Sequence, residues 1–327
     1  MVEADRLKSL ALNDLMAQAQ PDMQDGIAHI AANLLLCVVE MQQILPSNAC
    51  WVNYVCGARN IFDAMHGLNP ATGSEPSLVL GWLYFFDLIA RFGVRHWRTK
   101  QIEAIAKELG FNSRGDKSCI IQYMLLRASL SQPRPNLEMH VHPVIQLLAE
   151  VTDVVMYSSD PRYHTVNYWV YLSDLRLRML AASSSTRGSL PVTKSNLDAT
   201  VQEELELTRL AGLIYLERIS EDFSGDSTQI SSWTQQALSI LENSDLSPCS
   251  FALFIIGCEA NVDKQRISLL EFFAKMEAKP HLRTFTMAKS LIETAWNQHD
   301  LIEEGQFQYA RNINLTISSR DIPPALV

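Results

Sequence analysis

Apolar and polar positions follow helical spacing along most of the chain. After Asp25, the stretch GIAHIAANLLLCVVEMQQIL is apolar almost all round, which is the pattern of a buried helix, and Pro46 stops it. Asn48 is placed to cap ACWVNYVCGARNIFDAMHG. There Val52, Val55, Arg59, Phe62 and Met65 form a stripe broken by one charge, and Gly67 closes it. NPATGSEP reads as a loop before SLVLGWLYFFDLIARFG, which embeds Asp87 among aromatic and aliphatic residues. Thr99 then caps QIEAIAKELG, Gly110 ends it, and a short helix is expected over residues 117–130. Pro143 suits the first turn of PVIQLLAEVTDVVMYS, where Val144, Leu147, Leu148, Val151, Val154 and Val155 keep helical spacing.

YHTVNYWVYLSDLRLRMLAA also reads as a helix, although residues 163–172 are the most strand-like in the chain because of their β-branched and aromatic content. A Ser-rich loop covers residues 183–195, and Ser195 or Asn196 opens LDATVQEELELTRLAGLIYLERIS. Ser227 caps TQISSWTQQALSILEN, Pro248 leads into CSFALFIIGCEA, and Asn261 is expected to cap VDKQRISLLEFFAKMEAK. Ala288, Leu291, Ile292, Ala295 and His299 give a last helix its face. Strands alternating with helices are absent from the pattern, so a nucleotide-binding sheet is not expected. The sequence predicts an all-α array of about eleven antiparallel-packed helices. One large helical domain is expected over residues 25–302, with an N-terminal extension over 1–24 and an irregular tail over 303–327.

The 327 residues are 47% hydrophobic, which is ample for a core, and the formal net charge is −9. An acidic chain repels phosphate, so nucleic acid is not an expected partner. The densest basic stretch, RFGVRHWRTK, reads as a helix C-terminus whose arginines sit at the negative end of the dipole. The longest apolar runs, NLLLCVV and FALFIIGC, fall short of the roughly 20 residues of a membrane span, so a soluble intracellular protein without membrane association is expected. Cys37, Cys50, Cys56, Cys119, Cys249 and Cys258 mostly lie in apolar helical patterns and read as small core residues. None forms the C-x2-C pair that zinc sites require.

Searching for chemistry returns no phosphate loop, no dinucleotide fingerprint, no nucleophile elbow and no H-E-x-x-H. His140 and His142 in MHVHP are the only close histidine pair, and they read as solvated residues before a helix rather than metal ligands. Neither a cofactor nor a catalytic set is expected. The carboxylates set in apolar runs are the anomaly: Asp87, Asp153, Glu217 and Glu259. An unpaired buried carboxylate is costly, so each needs a cation, a donor or water, and Arg209, Arg218 and Arg266 are candidate partners. Their expected role is to fasten helix to helix. The aromatic residues Trp82, Tyr84, Tyr168 and Trp169 read as core rather than as a ligand pocket.

Several stretches in order resemble the fungal-specific transcription factor domain family. FALFIIGCEANVDKQRISLLEFF is similar to that family's late segment, where an apolar helix runs into G-x-E-A and then an Arg-bearing helix. LTRLAGLIYLERI, LGWLYFFDLIARF, ACWVNYVCGARNIF and AWNQHD resemble its other helices, and together the likeness covers about residues 27–300. The resemblance implies a regulatory region, nuclear, that works by binding a protein partner, its own copy or a small effector. It also implies an architectural role for Asp87, Arg209, Tyr215, Gly257, Glu259, Ala260, Arg266 and Trp296. In that family the domain accompanies a zinc cluster that binds DNA. The cysteine pattern of such a cluster is absent from these 327 residues, so direct DNA contact is not expected of them. An enzyme or small-molecule binder built on the same scaffold is the alternative.

Overall fold

The computed structural model describes residues 23–42, 51–65, 70–71, 73–97, 137, 140–154, 161–185, 196–220, 224–243, 248–278, 283–302, 308–320 and 322–327. Among these residues there are eleven α-helices, one π-helical turn and no strand, so the fold is all-α. The expected helices over 101–110 and 117–130, with their caps and with Asn48 and Gly67, lie outside the described residues. Within the span read as one domain, the helices gather into two compact units. The first comprises residues 1–95 and 99–141, and the second comprises 96–98 and 142–327.

The first unit contains α1 (Met23–Gln42), α2 (Trp51–Ala64) and most of α3 (Glu75–His96). The stripe of α2 closes onto α1, and Ile30, Leu34, Cys37, Val52, Val55 and Ala58 are buried. A Cβ on Gly57 would stand 3.2 Å from Asn33 Oδ1, so the small residue fits where the side chain of α1 comes closest. Ser74 accepts the backbone N–H of Ser77 at 3.4 Å and starts α3 two residues earlier than its apolar pattern begins. At 22 residues α3 is long and apolar enough to cross a membrane, which corrects the expectation that every apolar run is too short. Most of it is buried within the protein, as is usual for a core helix of this composition.

The second unit contains α4 (Pro143–Thr152), α5 (Val166–Ser185), α6 (Asn196–Tyr215), a π-turn (Leu216–Ser220) and α7 (Thr228–Asn243). It continues with α8 (Ser250–Cys258), α9 (Asp263–Glu277), α10 (Arg283–Asp300) and α11 (Tyr309–Ser318). The central element is α6, buried on every side from Leu207 to Tyr215, which packs against α4, α5, α7 and α8. All nine residues of α8 are buried between α6 and α10. The strand-like stretch at 163–172 is helical from Val166, because Tyr168, Leu172, Leu175 and Met179 provide a buried face at helical spacing.

Three local expectations are corrected. Residues 309–318 form α11 where an irregular tail was expected. Its buried face, Tyr309, Asn312, Ile313, Thr316 and Ile317, has helical spacing, but two polar residues occupy core positions and hide the stripe. The chain past α11 is also ordered against the core: Leu326 is buried, and its carbonyl accepts the N–H of Phe251 at 3.0 Å. Asn261 does not cap α9, which begins at Asp263 after Val262, one residue too late for the Asn261 side chain. Finally, α6 does not stay α-helical to Ser220, because its last turn widens into the π-turn.

Candidate functional site

Asp87 sits on α3 with no solvent exposure. Arg59 of α2 approaches its Oδ1 at 3.2 Å, and Arg91, one turn along α3, stands 3.3 Å from Oδ2. All three are nearly or fully buried, so one carboxylate meets two cations, of which Arg59 ties α2 to α3 and Arg91 pairs along α3. Asp87 and its need for a cation were visible in the sequence. Arg91 was readable as its i,i+4 neighbour, whereas Arg59 needed the helix pairing. Asp153 needs no buried partner, since it is exposed at the C-cap of α4.

Within the second unit, Arg218 makes a two-pronged pair with Glu259. Its Nε donates to Oε1 at 3.0 Å and its Nη2 to Oε2 at 2.8 Å. Nη1 of the same guanidinium donates to the Gly225 carbonyl at 2.7 Å, and the group lies 5.5 Å from the centre of the Tyr309 ring. The π-turn buries consecutive residues Glu217 and Arg218 together, and Glu217 Oε1 accepts from the Ser227 hydroxyl at 2.8 Å. Ser227 also caps α7 by accepting the N–H of Ile230 at 3.2 Å. The sequence places Glu217 and Glu259 among buried acids but gives no pairing, which depends on how the π-turn meets α8.

The remaining residues named from the sequence occupy helix contacts. Arg209 donates to Glu206 at 2.7 and 2.8 Å along α6 and to the Met179 carbonyl of α5 at 3.4 Å. Arg266 donates to the Ala260 carbonyl at 3.1 Å and to both oxygens of Asp300 at 2.7 Å, and it lies over the Trp296 ring. That guanidinium holds the Asp300 carboxyl below its usual pKa. Trp296 Nε1 donates to the Gly257 carbonyl at 2.8 Å. A Cβ on Gly257 would lie 2.6 Å from Ile292 Cδ1, so α8 and α10 approach closely there.

The ring nitrogens of His96 bridge Tyr215 Oη at 2.8 Å and Asn314 Oδ1 at 2.7 Å, joining α6 to α11. His96, Tyr309 and Asn314 escaped the sequence reading, since a histidine at a helix end and a polar face on α11 carry no local signal.

His140 and His142 do not behave as solvated residues. His140 Nδ1 lies 3.0 Å from Ser77 Oγ, and His142 Nδ1 accepts the Val144 N–H at 3.2 Å as the N-cap of α4. Burial holds both rings below the ordinary histidine pKa. Among the described residues no three His, Cys, Asp or Glu side chains could jointly hold a metal ion. Cys37, Cys249 and Cys258 are buried and Cys56 is half-buried, while Cys50 and Cys119 lie outside the described residues. Burial pushes the Cys249 thiol up to about 11. Tyr84 and Tyr168 are core residues, Trp169 is half-buried, and Trp82 is exposed, contrary to expectation.

Among the described residues the fold is an all-α array in which buried charged side chains are paired within and between helices. The chain belongs to the fungal specific transcription factor domain family, whose description matches residues 1–313. It is similar to the protein named transcription factor iacI of Pestalotiopsis fici, at 25% identity over 312 residues, covering 93% of this chain and 73% of the relative. No solved structure matches the chain.

Proposed function

We propose that the chain is a nuclear transcriptional regulator or co-regulator. In this reading the 327 residues contribute binding of a protein partner or a small effector, and base reading falls to another module. The family match along nearly the whole chain carries the reading. The buried charges support it over an enzyme on the same scaffold. Asp87, Arg209, Arg218, Glu259 and Arg266 make ion pairs between or along helices. Net charge −9 also supports contact with protein rather than with the phosphate backbone.

A surface for a protein partner lies on α5. Val166, Val170 and Leu177 are 78%, 65% and 65% exposed, and their spacing sets them on the side opposite the buried Tyr168, Leu172, Leu175 and Met179. A helix apolar on two faces with one left open is a feature of interaction surfaces.

The test fuses the chain to a heterologous DNA-binding module upstream of a reporter. The fusion should change reporter output. Val170→Asp with Leu177→Asp should abolish the change while leaving the thermal midpoint within a few degrees of the parent. A fusion with no effect on output in fungal cells overturns the regulatory reading.

A further inference from the structure

Helix α5 is apolar on two sides and buries one of them. Tyr168, Leu172, Leu175 and Met179 face the core, while Val166, Val170, Ser173 and Leu177 lie exposed on the other side. The exposed set repeats with gaps of four, three and four residues, which is the spacing of a seam between two helices. Half-buried Trp169 and Leu180 widen the stripe along one edge, and exposed Ala181 widens it along the other. Ser173 is the polar member of the seam, and its hydroxyl donates to the Trp169 carbonyl at 2.9 Å within its own helix. A hydroxyl satisfied in this way enters an apolar seam with no donor left over, and its small size lets a second backbone come close.

The borders of the stripe are complementary when one copy of α5 is reversed against another. Asn167 and Asp174 border it on one side, Trp169 and Arg176 on the other. A two-fold axis between residues 171 and 172 sets Val166 opposite Leu177 of the second copy and Val170 opposite Ser173, so each small residue faces a β-branched one. The Asn167 amide comes opposite Asp174, and the Trp169 ring comes opposite the Arg176 guanidinium. Each contact occurs twice. Asp174 Oδ2 already accepts from Arg178 Nε at 2.9 Å along α5, but a carboxylate accepts several hydrogen bonds, so that pair does not exclude a second donor. In a parallel pairing Ser173 would meet Ser173, Asp174 would fall beside Trp169 and Arg176 beside Ala181, which loses both complementary pairs.

We infer that the exposed face of α5 pairs antiparallel with the same face of a second copy of this chain. The inference deepens the partner reading above, on which it rests, by naming what covers the surface. One helix pair is a small interface, at or below about 1,200 Å² in total, so the dimer is reversible, with a dissociation constant in the micromolar range.

Sedimentation equilibrium of the full chain over a concentration series should show monomer and dimer in exchange. Val170→Asp with Leu177→Asp should raise the dissociation constant about a hundredfold or more, and Ser173→Ala should leave it within about twofold. Orientation is read by disulfide cross-linking, with the unsubstituted chain as the background for its native cysteines. Copies bearing Val170→Cys mixed with copies bearing Ser173→Cys should form a mixed dimer about tenfold or more faster than either variant forms one alone. A chain that stays monomeric at every concentration, a dimer unmoved by the aspartates, or cross-linking as fast within one variant as between the two overturns the inference. The reporter of the preceding subsection separates the two readings. A monomeric chain whose reporter output still depends on Val170 and Leu177 sinks the second copy and leaves the surface to a different protein. A dimer with the expected cross-link and no reporter output sinks the regulatory reading and spares the pairing.

Discussion

At the scale of single residues, stability depends on small sets of atoms inside apolar segments. The Arg218 and Glu259 side chains are 8% and 3% exposed, so removing one leaves the other as an uncompensated buried charge. Arg218→Ala should cost about 3–5 kcal/mol of unfolding free energy, measured by urea titration. Arg218→Met combined with Glu259→Leu should recover most of that loss, because it removes both charges and keeps the volume. A double variant as unstable as the single one would mean that Arg218 acts chiefly through Gly225 and Tyr309. Gly257 fails by a different route. A methyl there would press on Ile292 at 2.6 Å, so Gly257→Ala should destabilise by about 1–3 kcal/mol. Ile292→Val should relieve part of the cost in the double variant and none if the two residues do not touch. The sequence exposed these residues as anomalies because an acid or a glycine in an oily run stands out. It could not give their partners, since Arg218 meets Glu259 across 41 positions and Arg59 meets Asp87 across 28.

At the scale of elements, termini are where sequence and structure diverge most, because a cap is decided by one residue and a helix by many. Pro143 announces α4, but the cap itself is the His142 ring, whose Nδ1 must be unprotonated to accept the Val144 N–H. Burial lowers the folded-state pKa of His142 below that of the unfolded chain. A depressed histidine contributes stability that is fully present above the unfolded value of about 6.5 and is lost as pH falls through the folded value. His140 has the same sign, so the native chain should lose stability between pH 7 and pH 5. His142→Asn retains a good N-cap without a titrating group. It should therefore be less sensitive over that range, read as the change in urea midpoint with pH. An unaltered pH slope in the variant would assign the whole dependence elsewhere. The same logic explains α11, which the sequence hides. Its face includes Asn312 and Thr316, and polar residues at core positions break the pattern that reveals α7 and α10.

At the scale of the whole molecule, charge decides which partners are open to the chain. An excess of nine negative charges opposes the approach of a polyanion unless a compact basic face overcomes it. The densest basic run in the sequence begins at Arg91, and Arg91 is buried against Asp87, so its charge is used inside the first unit and does not project to solvent. Arg209 and Arg218 are buried in pairs, and Arg266 is tied to Asp300. The basic residues that look most available in the sequence are therefore the ones that the fold consumes. These 327 residues, purified alone, should bind duplex DNA more weakly than about 10⁻⁴ M at physiological salt, measured by fluorescence anisotropy with a labelled fragment. Lowering the salt should bring little gain, because few phosphate contacts would form and few counterions would be released. Micromolar binding with a steep salt dependence would require a basic face assembled elsewhere on the chain, and it would return base reading to these residues.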